Sequence, residues 1–147
     1  MKLKNHVISS GIVGSTVYLI TGSPAGAIAS VAAGILIDTD HIIDYYLNFG
    51  FSLNLRKIYL VINSYKLNKI YIFLHSFELL AAFWLVTFLI PLSMVYFAIG
   101  VGLTLHILLD QICNPVMPRA YFLTYRIAHG FKKDCVLNLN KLSLFKE

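Results

Sequence analysis

The chain has 147 residues, a length that suits one domain, and 58% of them are hydrophobic. Only 13% are charged, about half the share in an average soluble domain, so the chain lacks the polar residues that a soluble surface needs. The formal net charge of +5 fits loops that face an anionic membrane leaflet. No basic run alternates with stacking aromatic residues, so we expect no nucleic-acid partner.

Four apolar segments predict an all-α integral membrane bundle of about four transmembrane helices, as a single domain over residues 1–147. A full crossing takes about 20 helical residues. The third and fourth segments reach that length, and Pro91 separates them. The first two are shorter and rich in Gly, Ala and Ser, which predicts a closely packed helix pair joined at residues 21–24. The first is expected to be retained rather than cleaved as a signal peptide. The segments cover residues 7–20, 25–37 (with a continuation to 46), 71–90 and 92–112.

Lys and Arg side chains orient the predicted bundle. They precede the first segment, lie between the second and third, and follow the fourth, whereas the connections near Ser23 and Pro91 contain none. The positive-inside rule therefore predicts the cytoplasmic (inner) membrane, four crossings and both termini in the cytoplasm. The connection over residues 48–70 and the C-terminal tail from Met117 combine aromatic and basic residues, and we expect both to lie along the membrane interface.

Histidines and carboxylates occur at the predicted cytoplasmic ends of all four segments. His106 and Asp110 are spaced i,i+4, and His75 and Glu78 are spaced i,i+3, so each pair is expected to share one face of a helix. Successive helices run in opposite directions, yet the predicted topology brings these groups to one depth. The set comprises His6, then Asp38, Asp40, His41 and Asp44, then His75 and Glu78, and finally His106 and Asp110.

These carboxylates have no Lys or Arg within their own segments, and an ionised acid in a membrane helix is costly. The negative charge is therefore either removed by protonation of the carboxylate or compensated by a cation. The possible cations are a protonated histidine, a Lys or Arg from a loop, and a metal ion. Neutral imidazole and carboxylate are good ligands for zinc and related divalent ions, so we expect a site for one or two ions, zinc first and manganese second. Asp40 is expected to orient a ligand histidine or to bridge two ions, and either Asp40 or Glu78 to act as general base. The expected metal ligands are His6, Asp38, His41, His75, His106 and Asp110.

Three short motifs occur in a fixed order after the early His6. They are Asp38-Thr39-Asp40-His41, then His75-Ser76, then His106-Ile107-Leu108-Leu109-Asp110. In this order they resemble the DxDH, HS and HxxxD elements of the YdjM-like family of membrane-bound, metal-dependent hydrolases. The resemblance covers about residues 6–115 and implies a membrane-embedded metal site. The HxxxD element is also distantly similar to that of zinc-dependent phospholipase C enzymes.

The chain departs from the family pattern at two places. Ile37 stands where many members of the family have Pro before DxDH. Residues 71–74 stand where many have an Arg-Gly pair before HS, so any phosphate-binding role of that arginine has no counterpart there. Arg126 is a candidate replacement.

The leading functional hypothesis is a metal-dependent hydrolase that acts on an ester or phosphoester, such as a lipid, at the cytoplasmic interface. Membrane lipids are then the expected partners. One alternative is a protein that transports or delivers metal, although transport sites usually lie near the middle of the bilayer. The other alternative is a non-enzymatic membrane protein in which His–Asp contacts only hold helices together or respond to pH.

Overall fold

The computed structural model describes residues 3–90 and 93–144, and over these ranges the chain is all-helical and contains no β-strand. The all-α part of the predicted fold class is therefore confirmed. The α-helices are α1 (Leu3–Thr21), α2 (Pro24–Leu36), α3 (Asp40–Phe49), α4 (Leu55–Asn63), α5 (Phe77–Leu89), α6 (Met94–Cys113), α7 (Leu123–Ala128), α8 (Lys133–Val136) and α9 (Leu139–Leu144), with 3-10 turns at Ile37–Thr39 and Pro118–Tyr121.

The chain forms two compact units, and each is built from two stretches of sequence. The first unit contains the described residues up to Ile37 and those from Phe77 to Asn114, and therefore holds α1, α2, α5 and α6. The second contains Asp38 to Ser76 and the described residues from Pro115 onward. The organisation as one domain stays a prediction.

In the first unit, α1 and α2 form the expected helix pair. Gly22, directly after the last residue of α1, has a φ of +65° and so ends that helix. The Ser23 hydroxyl accepts a hydrogen bond from Gly26 N–H and caps α2. A Cβ added to Gly34 of α2 would lie 2.6 Å from the hydroxyl of Ser10 in α1. Only a residue without a side chain permits this approach, as expected for helix pairs in lipid.

In the same unit, α2 and α6 are in direct backbone contact. A Cβ added to Gly102 would overlap the carbonyl oxygen of Ser30, which is fully buried. Helix α5 contacts α6 mainly through Trp84, whose indole N–H donates a 2.9 Å hydrogen bond to the Thr104 hydroxyl. Small residues in α2 and α6 therefore set the spacing of these helices.

The third apolar segment is shorter than the sequence predicts. It was expected to be helical from residue 71 to 90, but α5 begins only at Phe77 and has 13 residues. Such a helix is about 20 Å long, less than the roughly 30 Å hydrocarbon core. The physical reason lies in the backbone: Ile72 has a φ of +31°, which does not occur in a right-handed helix, and Asp44 and Asp40 hold this conformation by accepting hydrogen bonds from the N–H groups of residues 71, 72 and 74.

Hydroxyl side chains in the apolar helices of the first unit bond back to their own helix. The Ser15 hydroxyl, which is exposed, donates to the carbonyl of Gly11 at 2.9 Å, and the exposed Thr16 hydroxyl does the same to Ile12. This bond satisfies the hydroxyl without water. The same arrangement occurs at Ser9, Thr21, Ser30, Thr87 and Thr104.

The first unit exposes many large apolar side chains and buries several polar ones. Large apolar side chains are exposed, for example Leu19 at 83% and Leu89 at 73%, whereas His6, His106 and Asp110 are buried. Two helical stretches, Pro24–Phe49 and Met94–Cys113, are long and apolar enough to cross a membrane. The four crossings stay a prediction.

The second unit consists of α3, α4, the extended residues before α5, and the C-terminal helices. Asn48 of α3 fastens this unit together, because its amide donates to the Lys69 carbonyl and its side-chain oxygen accepts from the N–H groups of Asn68 and Lys69. Ile70 N–H in turn donates to the Phe131 carbonyl. Residues 68–76 are therefore held between α3 and the C-terminal tail.

Candidate metal centre

The first unit holds a buried group of two histidines and one aspartate. His6 comes from α1, and His106 and Asp110 are one turn apart on α6, so the predicted i,i+4 pair is confirmed as one helix face. Nε2 of His6 lies 3.3 Å from one Asp110 oxygen, and Nε2 of His106 lies 3.6 Å from the other. The two imidazoles are stacked with their centroids 4.4 Å apart.

These separations fit ligands that share an ion. Two atoms that are each about 2.1 Å from a tetrahedral metal lie about 3.4 Å apart, whereas a charge-assisted hydrogen bond is usually about 2.7–2.9 Å long. One ligand atom from each of His6, His106 and Asp110 can be chosen so that all three lie within 4.8 Å of one another. This group could therefore hold a metal ion.

The second unit holds another group, formed by Asp38, His41 and His75. Asp38 Oδ1 lies 3.7 Å from Nε2 of His41 and 3.6 Å from Nε2 of His75. Ligand atoms of the three residues also lie within 4.8 Å of one another. Asp38 and His41 are partly exposed, and His75 is buried. This group offers a second possible position for a cation, one that is open on one side.

Asp40 lies on the opposite side of the His75 ring from Asp38. Its Oδ2 is 3.5 Å from Nδ1 of His75 and accepts a 2.7 Å hydrogen bond from Leu74 N–H. A carboxylate at Nδ1 favours the tautomer in which Nε2 carries the lone pair, which is the form that binds a metal. Asp40 is fully buried. The contacts thus favour the orienting role among those expected for Asp40, rather than the general base.

Asp44, one turn after Asp40 on α3, organises the backbone before α5. Its Oδ1 accepts 2.9 Å hydrogen bonds from the N–H groups of both Tyr71 and Ile72. Ile72 has a φ of +31°, a conformation that β-branched residues rarely adopt. Two adjacent N–H groups directed at one oxygen form a small anion-binding concavity, and here the anion is a side chain of the protein itself.

Arg126 of α7 brings a positive charge into the second unit. Its side chain is fully buried, and Nη1 donates to the backbone carbonyl of His75 at 3.3 Å. Its charge also attracts the Asp44 carboxylate. A cation from the tail therefore compensates part of the acid cluster, which is one of the possibilities that the sequence left open. Its burial favours this internal role over the binding of a substrate phosphate.

The expected residues are only partly brought together. His75 precedes α5 instead of lying on it, so the prediction that His75 and Glu78 share a helix face is wrong: His75 is in a turn, whereas Glu78 is in the first turn of α5. Glu78 belongs to neither His/carboxylate group among the described residues. Its role as general base stays a prediction.

The roles of two residues that support the second group were not predicted from the sequence. Asn48 fastens residues 68 and 69 to α3, and nothing in its sequence context distinguishes it from a surface amide. The burial of Arg126 was also missed, because 82 residues separate it from Asp44 along the chain. A signal existed only for Arg126, which follows aromatic and aliphatic residues in a tail that is otherwise basic.

Comparisons of the chain with protein families, with characterised proteins and with solved structures found no match. The resemblance to the YdjM-like family therefore rests on the three motifs and their order. The geometry adds an observation that is independent of that resemblance: a buried His/Asp group that could hold a metal ion.

Proposed function

We propose that this chain is a metal-dependent hydrolase embedded in the cytoplasmic membrane, similar to the YdjM-like family, and that it acts on an ester or phosphoester of a lipid. The observation that supports the proposal is the buried trio of His6, His106 and Asp110, whose ligand atoms lie within 4.8 Å of one another.

The membrane location is supported by the exposure of apolar side chains along α1, α5 and α6 and by the hydroxyl groups that bond back to their own helices. We propose four crossings with both termini in the cytoplasm, as the distribution of Lys and Arg indicates. Because α5 is shorter than a full crossing, the bilayer around it would be thinned.

Each residue of the site has a proposed task. His6, His106 and Asp110 would hold one ion, and Asp38, His41 and His75 would hold a second. Asp40 fixes the orientation of His75 through Nδ1. A bound divalent ion of this kind supplies an activated water and polarises the scissile group. Glu78 remains the proposed general base, and a site at headgroup depth would give access to the ester bonds of lipids.

The experiment is elemental mass spectrometry of detergent-purified protein, as wild type and as the His106→Ala and Asp110→Ala variants. His129→Ala is the matched control, because His129 is exposed and its ring nitrogen contacts only the Tyr125 carbonyl among the hydrogen bonds found. We expect near-stoichiometric zinc or manganese in wild type and His129→Ala, and its loss from the other two variants, with all four proteins folded.

A hydrolase screen on phospholipids and phosphodiesters then tests the activity with the metal-loaded protein. Wild type that holds no metal after reloading contradicts the metal site itself. Wild type that holds metal but cleaves no ester contradicts the enzyme assignment and leaves metal binding in place.

A second candidate function is a membrane protein without enzymatic activity, in which the His–Asp contacts stabilise helix packing. The observation that favours it is the buried Arg126, because this residue already compensates part of the acid cluster in the second unit without a metal. Under this hypothesis the Asp110→Ala variant loses stability but no metal, since none is bound.

A further inference from the structure

The helix α4 and the turn that follows it carry a basic cleft that the proposed hydrolase does not use. The cleft has a volume of about 430 Å³ and is lined by three cations together with two small polar side chains and two aliphatic ones. No Asp or Glu is among the described residues that line it, so the lining itself contains no acid to compensate these charges. The lining cations are Arg56, Lys57 and Lys66.

The outer face of α4 is apolar next to this cleft. Ile58 points inward and is buried, whereas Leu55, Tyr59 and Leu60 are exposed at 68%, 47% and 57%. Exposed apolar and aromatic side chains beside cations are typical of helices that lie in the membrane interface, where the chains enter the acyl boundary and the cations meet headgroups.

We propose that this cleft binds the phosphate of an anionic phospholipid headgroup and thereby docks α4 on the membrane surface. Charge complementarity selects this occupant, because three cations without an acid favour a phosphate, and the exposed Leu60 in the cleft wall favours a phosphate attached to acyl chains. Asn54 and Ser64 add polar groups at the rim. The inference rests on the proposed membrane location but not on the metal or the hydrolysis.

The test measures binding of phosphatidylglycerol and phosphatidylcholine to the full, delipidated chain in neutral detergent, by native mass spectrometry of lipid adducts. A chelator is present throughout, so that neither metal binding nor hydrolysis affects the result. We expect wild type to bind phosphatidylglycerol about tenfold more tightly than phosphatidylcholine, a preference that high salt removes.

The decisive variant is the triple Arg56→Gln, Lys57→Gln, Lys66→Gln, which is expected to lose this preference. The matched control is the triple Lys69→Gln, Arg119→Gln, Lys132→Gln, which removes the same charge from three exposed cations outside the cleft and is expected to retain it. If the first triple does not fold, the single variants Lys66→Gln and Lys69→Gln make the same comparison, with a smaller loss expected only for Lys66→Gln.

Three results would overturn the proposal. The first is equal binding of the two lipids by wild type. The second is an equal loss of preference in the cleft and control variants. The third is displacement of phosphatidylglycerol by soluble glycerol phosphate at equal concentration, because the occupant would then be a free anion rather than a lipid surface. None of these results depends on whether the protein cleaves an ester.

Discussion

The guanidinium of Arg126 donates a hydrogen bond to the backbone carbonyl of His75, 51 residues earlier in the chain. This contact places a buried positive charge at the backbone of His75. The ring of the same histidine lies between the carboxylates of Asp38 and Asp40. Oδ1 of Asp40 and Oδ2 of Asp44 are buried and have no hydrogen-bond partner among the described residues. Arg126 therefore provides charge compensation for Asp44, one of whose oxygens lacks a hydrogen bond among the described residues.

Replacing Arg126 should destabilise the protein strongly. Arg126→Met removes the cation and leaves the buried acids uncompensated, so we expect a loss of about 3–5 kcal/mol in the free energy of unfolding. The measurement is denaturant-induced unfolding in detergent. Arg119→Met is the control, because Arg119 is exposed, and it should change stability little. Equal effects of the two substitutions would show that the charge of Arg126 is not needed.

Replacing Asp44 should release the backbone before α5. Asp44→Ala removes the acceptor of two N–H groups, so the amides of Tyr71 and Ile72 should exchange with solvent about tenfold faster or more. Asp44→Asn is the matched variant, since its amide oxygen can still accept both bonds. Hydrogen exchange followed by mass spectrometry measures the difference, and equal protection in wild type and Asp44→Ala would contradict it.

Replacing Asp40 should weaken metal binding without removing a ligand. Loss of the carboxylate that orients a ligand histidine typically costs about 10–100-fold in affinity. We therefore expect Asp40→Ala to bind the ion of the Asp38, His41 and His75 group more weakly, as measured by competition with a chromogenic chelator. Asp134→Ala removes an exposed acid and serves as the control. Unchanged metal affinity in a folded Asp40→Ala protein would show that Asp40 does not orient His75 for metal binding. Its remaining role would be to accept the hydrogen bond from Leu74 N–H.

Adding one methyl group at two glycines should have opposite effects. Gly102→Ala places a Cβ against the Ser30 backbone and should cost about 1–3 kcal/mol, because neither helix can yield locally. Gly11→Ala meets no atom within 4 Å and should leave stability unchanged or raise it by up to about 1 kcal/mol, as helix propensity predicts. Thermal unfolding of the two variants in the same detergent makes the comparison, and a similar midpoint for both would show that α2 and α6 can separate freely.

Local pattern was sufficient to predict several elements. The apolar segments that became α1, α2 and α6 were found from hydropathy, and the Gly22–Pro24 turn was found from its turn residues. The spacing of His106 and Asp110 placed them on one helix face, which is correct because both lie well inside α6.

Other features depend on contacts between residues that are far apart in sequence, and local pattern could not predict them. The start of α5 was missed by six residues because carboxylates of α3 hold residues 71–74 in a non-helical conformation, and hydropathy does not report such long-range contacts. The same error put His75 on a helix with Glu78. Arg126 could not be assigned because its partners come from a part of the chain far from it in sequence.

The hydrogen bonds from residues 71, 72 and 74 to Asp40 and Asp44 have a consequence for how this protein is made. A peptide of residues 71–90 contains neither carboxylate, so nothing would hold residues 71–74 in their non-helical conformation, and in hydrocarbon such an apolar segment would be helical throughout. During synthesis, α3 leaves the ribosome before this segment does. The carboxylates of α3 are therefore present before residues 71–74 are synthesised. The residue at which α5 begins is thus determined by contacts with a helix that precedes it in the chain.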